Sequence, residues 1–334
     1  MTYSEQFDSL GQFLLAVARA GMSPNDMDNR LRWSSAAGAN ESFPAEGGFA
    51  VPEDWASDLI AGVEDQSVLF ALTDRQPITK GNTLKLPTVD ERSRANGSRF
   101  GGLRLQWADE TQQPAASQPK WRSVDLQLNK LTGNGVATSE IFDDVPALSA
   151  ILARFFKLEG AVMIDDGIVR GPGAGQMLGV LNSGALITVP PESAQAAATV
   201  RAENVVKMFA RLWAPGHRRA VWLFNQELAP QIFALGDMLT FVDGPHLLGL
   251  PLIAHESCSA PGAVGDLILC DASQYVVGEK PAEYAESLHV RFLSHEQVFR
   301  FNWRVAGQPG WTSPLTPLNG SNTSSPFVTL AART

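Results

Sequence analysis

The run GPGAGQMLG at residues 171–179, preceded by the adjacent carboxylates Asp165 and Asp166, has the composition of a phosphate-binding turn. Such a loop works because backbone N–H groups converge on phosphate oxygens, while a lysine and a hydroxyl reach the outer phosphates and Mg²⁺. Here Gln176 and Met177 follow Gly175, so both side chains are missing. A dinucleotide turn needs a strand before its glycines, and the pattern here predicts a helix. Two His–Glu pairs, His255–Glu256 and His295–Glu296, match the start of a zinc-protease helix. That chemistry needs a second imidazole four residues on, so that both ligands share one face. Ser259 and Phe299 stand there instead. No G-x-S-x-G elbow occurs, and none of the five histidines has a recognisable nucleophile beside it. Asp165 and Asp166 would need Asp143 or Asp144 to complete a metal site, yet those lie at the other end of one helical run. A solvated or salt-bridged helix end is the simpler reading. Cys258 and Cys270 lack a metal-type spacing and read as small, semi-buried side chains in a reducing compartment. No catalytic, cofactor or metal site is expected.

The element that positions the glycine run is a long amphipathic pattern. Asp144 suits an N-cap, because its carboxylate accepts from N–H groups that a first turn leaves unpaired. Pro146 falls in that turn, where its missing donor costs little. Val145, Leu148, Ile151, Leu152, Phe155, Phe156, Val162 and Met163 follow steps of three and four, and Glu159 alone breaks the stripe. Gly167 suits the left-handed position that closes a helix. The pattern predicts a helix over about 144–166, roughly 33 Å long at about 1.5 Å per residue. Gly171, Gly173 and Gly175 then read as a hinge where the chain leaves it.

The 334 residues are 44% hydrophobic and 18% charged with no long apolar run, so a large core is expected and a membrane span is not. Glu5 and Asp8 stand where a secretion signal needs bases, which points to synthesis and folding in a cytoplasm. A net charge of −9 argues against a dedicated reader of nucleic-acid sequence. Charge is distributed in blocks. Residues 41–66 hold Glu41, Glu46, Glu53, Asp54, Asp58, Glu64 and Asp65 with no base. Residues 75–104 hold Arg75, Lys80, Lys85, Arg92, Arg94, Arg99 and Arg104 against Asp90 and Glu91. A second basic cluster is Arg201, Lys207, Arg211, Arg218 and Arg219. Such blocks are either solvated faces or complementary contacts of a repeating subunit.

Residues 1–22 predict one short amphipathic helix, followed by a polar stretch too poor in apolar residues to form a core. The body begins near Phe49. TLKLPTV and VDLQLNKLTGNGVATSEI alternate as strands around a turn-rich basic tip, which predicts a long hairpin over 73–125. Beyond residue 184 come a helix to Trp213, the strand AVWLFN, a helix near 226–235 and several alternating strands. The segment 319–334 is polar and Ser/Thr-rich, a tail expected to be mobile up to Phe327.

The order GGFAVP, a long hairpin, SEIFDDVPALSAILARFFKLEGAVMIDDGI, GPGAGQMLGVLN, HLLGLPLIAHESC, GDLILCDASQYVVGE and HVRFLSHEQVFRFNWRVAGQPG resembles the major capsid proteins of tailed bacteriophages over roughly 47–318. The resemblance implies an α+β fold of the Hong Kong 97 type. It implies an N-terminal arm at 1–46, and a P domain at 47–72 and 126–185 whose spine is the long helix. It further implies an E-loop hairpin at 73–125, an A domain at 186–280, P-domain return strands at 281–318 and a tail at 319–334. The function implied is a shell of hexamers and pentamers around double-stranded DNA, assembled in a host bacterial cytoplasm and located in the virion. Partners would be copies of itself, the packaged genome by weak proximity, and portal, scaffolding and decoration proteins, with no membrane. Some relatives weld their shells with a Lys–Asn isopeptide bond promoted by a glutamate. Gln113 stands where the lysine would be, and His295 and Asn302 stand where the asparagine and glutamate would be, so a non-covalent shell is expected. About 46 residues before GGFAVP are too few for a fused scaffolding domain, and Met1 favours a separate scaffolding protein over a cleaved precursor.

A subunit with two long extensions buries more intersubunit surface than a compact one, through heterologous contacts. A net negative charge suits confinement of DNA without tight binding. Arg92, Arg94, Arg99 and Arg104 are expected to dock on acids of a neighbour, either the block containing Glu41, Glu46, Glu53, Asp54 and Asp58 or the spine helix. Exposed pairs contribute roughly 0–1 kcal/mol each, so they would set register while apolar burial and repetition supply affinity. The alternatives are an encapsulin-type compartment around protein cargo, and a soluble enzyme with no recognisable motif.

Overall fold

The computed structural model describes residues 66–79, 81–105, 107, 116–138, 145–241, 244–291 and 296–333. The acids Glu41, Glu46, Glu53, Asp54 and Asp58, the caps Asp143 and Asp144, and Gln113 and His295 lie outside the described residues. Strands β1 (Asp74–Pro77), β2 (Thr83–Val89), β3 (Trp121–Gln127) and β4 (Asn129–Thr138) precede the long helix α1 (Val145–Arg170). Then come β5 (Ile187–Val189), helix α2 (Ala202–Arg211), β6 (Val221–Phe224), β7 (Leu239–Phe241), β8 (Pro245–Leu247) and β9 (Leu250–Ala254). The chain continues through β10 (Leu267–Cys270), β11 (Tyr275–Glu279), β12 (Glu283–Arg291), β13 (Glu296–Pro309) and β14 (Phe327–Leu330). No helix among the described residues is long and apolar enough to cross a membrane.

The chain divides into two compact units. The first comprises Asn129–Ile164, Glu279–Val305 and the described part of Met1–Ala71; the second comprises Leu72–Leu128, Asp165–Gly278 and Ala306–Thr334. The boundaries between them fall at 71/72, 128/129, 164/165, 278/279 and 305/306.

In the first unit β13 pairs antiparallel with both β4 and β12. Its alternation buries Phe299, Phe301, Trp303 and Val305 and leaves Arg300 and Arg304 exposed, as a strand with one core face requires. Phe156 of α1 stacks on Phe301 at 5.9 Å between ring centroids, and Phe70 meets Trp303 edge-on at 5.6 Å. Gly133 of β4 makes room for that helix, since a Cβ there would lie 2.8 Å from the Phe156 ring.

Helix α1 differs from expectation in two ways. Its buried side carries Gly160, Ala161, Ile164, Ile168 and Val169, whereas Phe155, Leu158, Val162 and Met163 are exposed. The helix is apolar almost all round, so periodicity alone does not say which apolar side faces in. Gly167 also does not close the helix, which continues to Arg170. Its missing side chain instead admits Met177, whose Sδ would lie 3.1 Å from a Cβ at 167.

The second unit is built on a seven-stranded mixed sheet in the order β5-β14-β10-β6-β9-β8-β7. β14 is parallel to β5 and β6 to β9, while β10 runs antiparallel to both β6 and β14. Val205, Met208 and Leu212 from and just beyond α2 join Trp222, Leu267, Leu269, Val328 and Leu330 in one core. The buried Trp222 indole donates to the Leu247 carbonyl at 3.0 Å, which removes the cost of hiding its N–H. The supposed tail therefore contains an interior strand. FVTL is only four residues long between polar flanks, too short for composition to separate from a tail.

Candidate functional site: the hairpin tip and the glycine turn

β2 and β3 form a two-stranded antiparallel ribbon in which Thr83 faces Gln127 and Val89 faces Trp121. One face of its base is apolar: Leu84, Leu86, Val124 and Leu126 pack with Ile78, Leu128, Val276 and Ala306. Beyond Val89 the tip is shaped by glycine. Gly97 and Gly101 have φ of +77° and +75°, and a Cβ at Gly101 would lie 2.7 Å from the Lys120 carbonyl. The Lys120 N–H closes the tip by donating to Gly101 at 2.9 Å. The tip root is held by the chain's own C-terminal region. Arg94 N–H donates to Thr316 at 2.8 Å, and Thr316 N–H donates back to Arg92 at 3.0 Å.

The four arginines expected to act together fall into two pairs. Arg92 Nε meets Asp90 at 3.0 Å, and the half-buried Arg94 Nε meets Glu91 at 2.6 Å. Their charges are largely balanced at home. Arg99 and Arg104 are exposed and make no ion pair among the described residues. In the second basic cluster, Lys207 pairs with Glu192 at 2.6 Å, Arg211 donates to the Thr323 carbonyl at 2.6 Å and Arg219 lies 3.7 Å from Asp271. These bases hold their own unit together.

What the charge pattern misses is apolar. Phe100 is 61% exposed, Trp121 66%, and Leu105 and Trp107 are wholly exposed. The signal was present in LRLQW, whose strand-like alternation of large apolar residues sits inside a segment that reads as a polar tip.

The glycine turn is closed on itself. Gly173 N–H donates to Met177 at 3.0 Å, Gly179 N–H to Gly171 at 2.8 Å and Gly171 N–H to Gly167 at 3.1 Å. Asn182 Nδ2 caps the Arg170 and Gly171 carbonyls, each at 2.9 Å. Leu178 is bound on both sides, its N–H donating to Gly307 at 2.8 Å and its carbonyl accepting from Tyr275 Oη at 2.9 Å. A Cβ at Gly171 would lie 2.2 Å from the Met177 carbonyl, so that glycine provides space; Gly173 and Gly175 provide φ of +79° and +71°. The N–H groups of Gly171, Gly173, Leu178 and Gly179 are spent internally, and the turn follows the helix C-terminus, whose dipole repels anions.

Asp165 and Asp166 have separate fates at that helix end. Asp166 pairs with Arg170 at 2.6 Å, while Asp165 is buried and lies 3.2 Å from His255 Nε2. The Ser257 N–H donates to His255 Nδ1 at 3.2 Å, so Nε2 is left to donate to Asp165. His255 thus ties its own segment to the end of α1. Burial, reinforced by Asp266, pushes the Cys258 thiol up to about 12, and burial pushes Cys270 up as well, which opposes thiolate chemistry. Among the described residues no three His, Cys, Asp or Glu side chains are grouped to hold a metal.

A long helix, a two-stranded hairpin and a seven-stranded mixed sheet make up an α+β fold of the Hong Kong 97 type. Solved structures share this fold. The chain resembles the capsid of a native GTA particle (TM-score 0.56, 16% identity, covering 79% of this chain and 90% of that one). It resembles an Oxtober96 Microbacterium phage structure similarly (TM-score 0.56, 14% identity, 80% and 91%). A virus-like particle from Pyrococcus furiosus is also similar (TM-score 0.50, 10% identity, 83% and 98%). No curated protein matches the sequence. The family model of the phage capsid family matches residues 47–320, and the chain belongs to that family. It is a structural, shell-forming protein that associates with copies of itself.

Proposed function

We propose that this chain is the major capsid protein of a tailed double-stranded DNA bacteriophage, assembling as hexamers and pentamers into an icosahedral head. The observation that carries this reading is the family match across 47–320. In it, α1 is the spine, β2–β3 the E-loop, the seven-stranded sheet the core of the A domain, and residues 1–46 an arm. Gly171, Gly173 and Gly175 are the joint between spine and A domain. Portal, scaffolding and decoration proteins are the further partners, assembly takes place in the host cytoplasm, and the genome lies inside without tight binding. Electron microscopy of purified particles tests the reading: rings of five and six subunits in a closed shell are expected, and a persistent monomer or small oligomer overturns it.

The likeness to the Pyrococcus furiosus particle supports a second reading, a compartment around protein cargo. Absorbance at 260 nm separates the two, because a DNA-filled head absorbs far more there than a protein-filled one. The shell is held without covalent bonds, since Gln113 cannot supply the amine of an isopeptide bond. Boiling particles in detergent should release single chains, and a ladder of multimers would contradict this. Arg99 and Arg104, unlike Arg92 and Arg94, make no ion pair among the described residues, so reversing them to Glu should impair assembly more than reversing Arg92 and Arg94.

A further inference from the structure

We propose that Asn319 is a site of spontaneous covalent modification, where the side chain cyclises on the backbone and its carboxamide becomes a carboxylate. This chemistry is independent of the shell reading, because an unassembled chain would show it too. An asparagine followed by glycine is the reactive pair for such a step: glycine has no Cβ to shield its amide nitrogen, and its backbone turns freely. The sequence holds three such pairs, Asn96–Gly97, Asn134–Gly135 and Asn319–Gly320. Composition ranks them equally, and the fold does not.

Asn96 is exposed but held. The Gly97 N–H, whose nitrogen would have to attack, donates to the Arg94 carbonyl at 2.9 Å. Asn96 Oδ1 accepts from the Ser98 N–H at 3.1 Å and from the Ser98 hydroxyl at 2.5 Å, which fixes the carboxamide. Asn134 lies inside β4, opposite Arg300 of β13, with Gly135 opposite Phe299, and this register keeps both backbones extended. Asn319–Gly320 has neither restraint. It lies on the exposed run 318–322, at the tip of a loop whose base is closed by backbone bonds between Leu315 and Ser324 at 2.8 and 2.9 Å. Neither Asn319 nor Gly320 makes a hydrogen bond among the described residues. Gly320 has a φ of +108° and open space around its Cβ position. Exposed tips of this kind rearrange locally at little cost. Asn322 is exposed as well, but Thr323 after it is β-branched and is gripped by Arg211 at 2.6 and 2.8 Å.

The step balances without an oxidant or a metal. A base takes the Gly320 amide proton, the nitrogen attacks Asn319 Cγ, and the Cγ–Nδ2 bond breaks. Ammonia leaves with the proton that the base took, and a cyclic imide remains. Water then opens the ring at either carbonyl. Cleavage of the N–Cγ bond gives aspartate; cleavage of the other N–C bond gives isoaspartate, with the chain running through the former side chain. Each event adds a negative charge to a chain that already carries −9.

The test incubates the full-length chain in mildly alkaline buffer, cuts it after arginine and maps the peptides by mass spectrometry. The peptide 305–333 should gain the mass difference between NH₂ and OH, located at Asn319 by fragmentation, in both aspartate and isoaspartate forms. Asn319 should react about tenfold or more faster than Asn96, the factor that opening two ordinary hydrogen bonds imposes, and Asn134 should be slow as well. In denaturing urea the three should converge, since only the fold separates them. Asn319→Gln, whose longer side chain closes the ring poorly, should abolish the gain at that position while leaving Tm unchanged. A folded chain in which Asn319 reacts no faster than Asn96 would overturn the assignment, and so would a ranking that survives urea.

Discussion

Arg333 and Asp266 form an ion pair whose side chains are 1% and 0% exposed. Asp266 also accepts from the Gly262 N–H at 2.8 Å, and the Arg333 backbone is bound to Ala198 and Gly262. Removing one partner of such a pair leaves an unpaired buried charge, which costs about 3–5 kcal/mol. Arg333→Ala should therefore shift the urea midpoint strongly downward, and a shift within error of wild type would contradict the pairing. Cys258 offers a pH-dependent prediction. Its thiol moves from an ordinary 9.0 up to about 12, so between those values the unfolded chain loses a proton that the native chain keeps. Stability should fall as pH rises through that window, and less so in Cys258→Ala, measured by denaturant unfolding at pH 8 and pH 10.5. Of these residues the sequence discloses only the cysteines. Arg333 sits near the end of a polar stretch, and a clasp to an acid 67 positions earlier leaves no trace in local composition.

At the scale of elements, the glycine turn separates two uses of one residue type. Gly175 has open space around a φ of +71°, so Gly175→Ala costs only the left-handed penalty, about 1–2 kcal/mol. Gly171→Ala forces a methyl against the Met177 carbonyl and should cost about 3 kcal/mol. Thermal unfolding of the two variants checks the order, and equal effects would mean that the turn relaxes around the added methyl. The existence of α1 was legible from its periodicity; its buried side was not. An apolar stripe is informative only when the opposite side is polar, and here apolar residues lie on both the buried and the exposed side. The hairpin strands were legible from alternation, while its aromatic tip was obscured by the arginines around it. Sequence counts charges well, but it does not show that Arg92 and Arg94 are already neutralised by Asp90 and Glu91.

At the scale of the molecule, the ordered set of segments revealed the α+β capsid fold without any chemical motif, because a shell subunit is specified by its elements rather than by a reacting centre. The placement of residues 327–330 escaped this reading. Deleting 327–334 exposes the edges of β5 and β10, so the second unit should lose its cooperative unfolding and the chain should aggregate; a truncated chain that still sediments as a folded species would refute this. That strand also sets a clock. A ribosome delivers β5 and β10 well before β14, which must then slip between them, so the sheet stays incomplete until Phe327–Leu330 has been made. Products interrupted before Leu330 consequently lack a finished sheet.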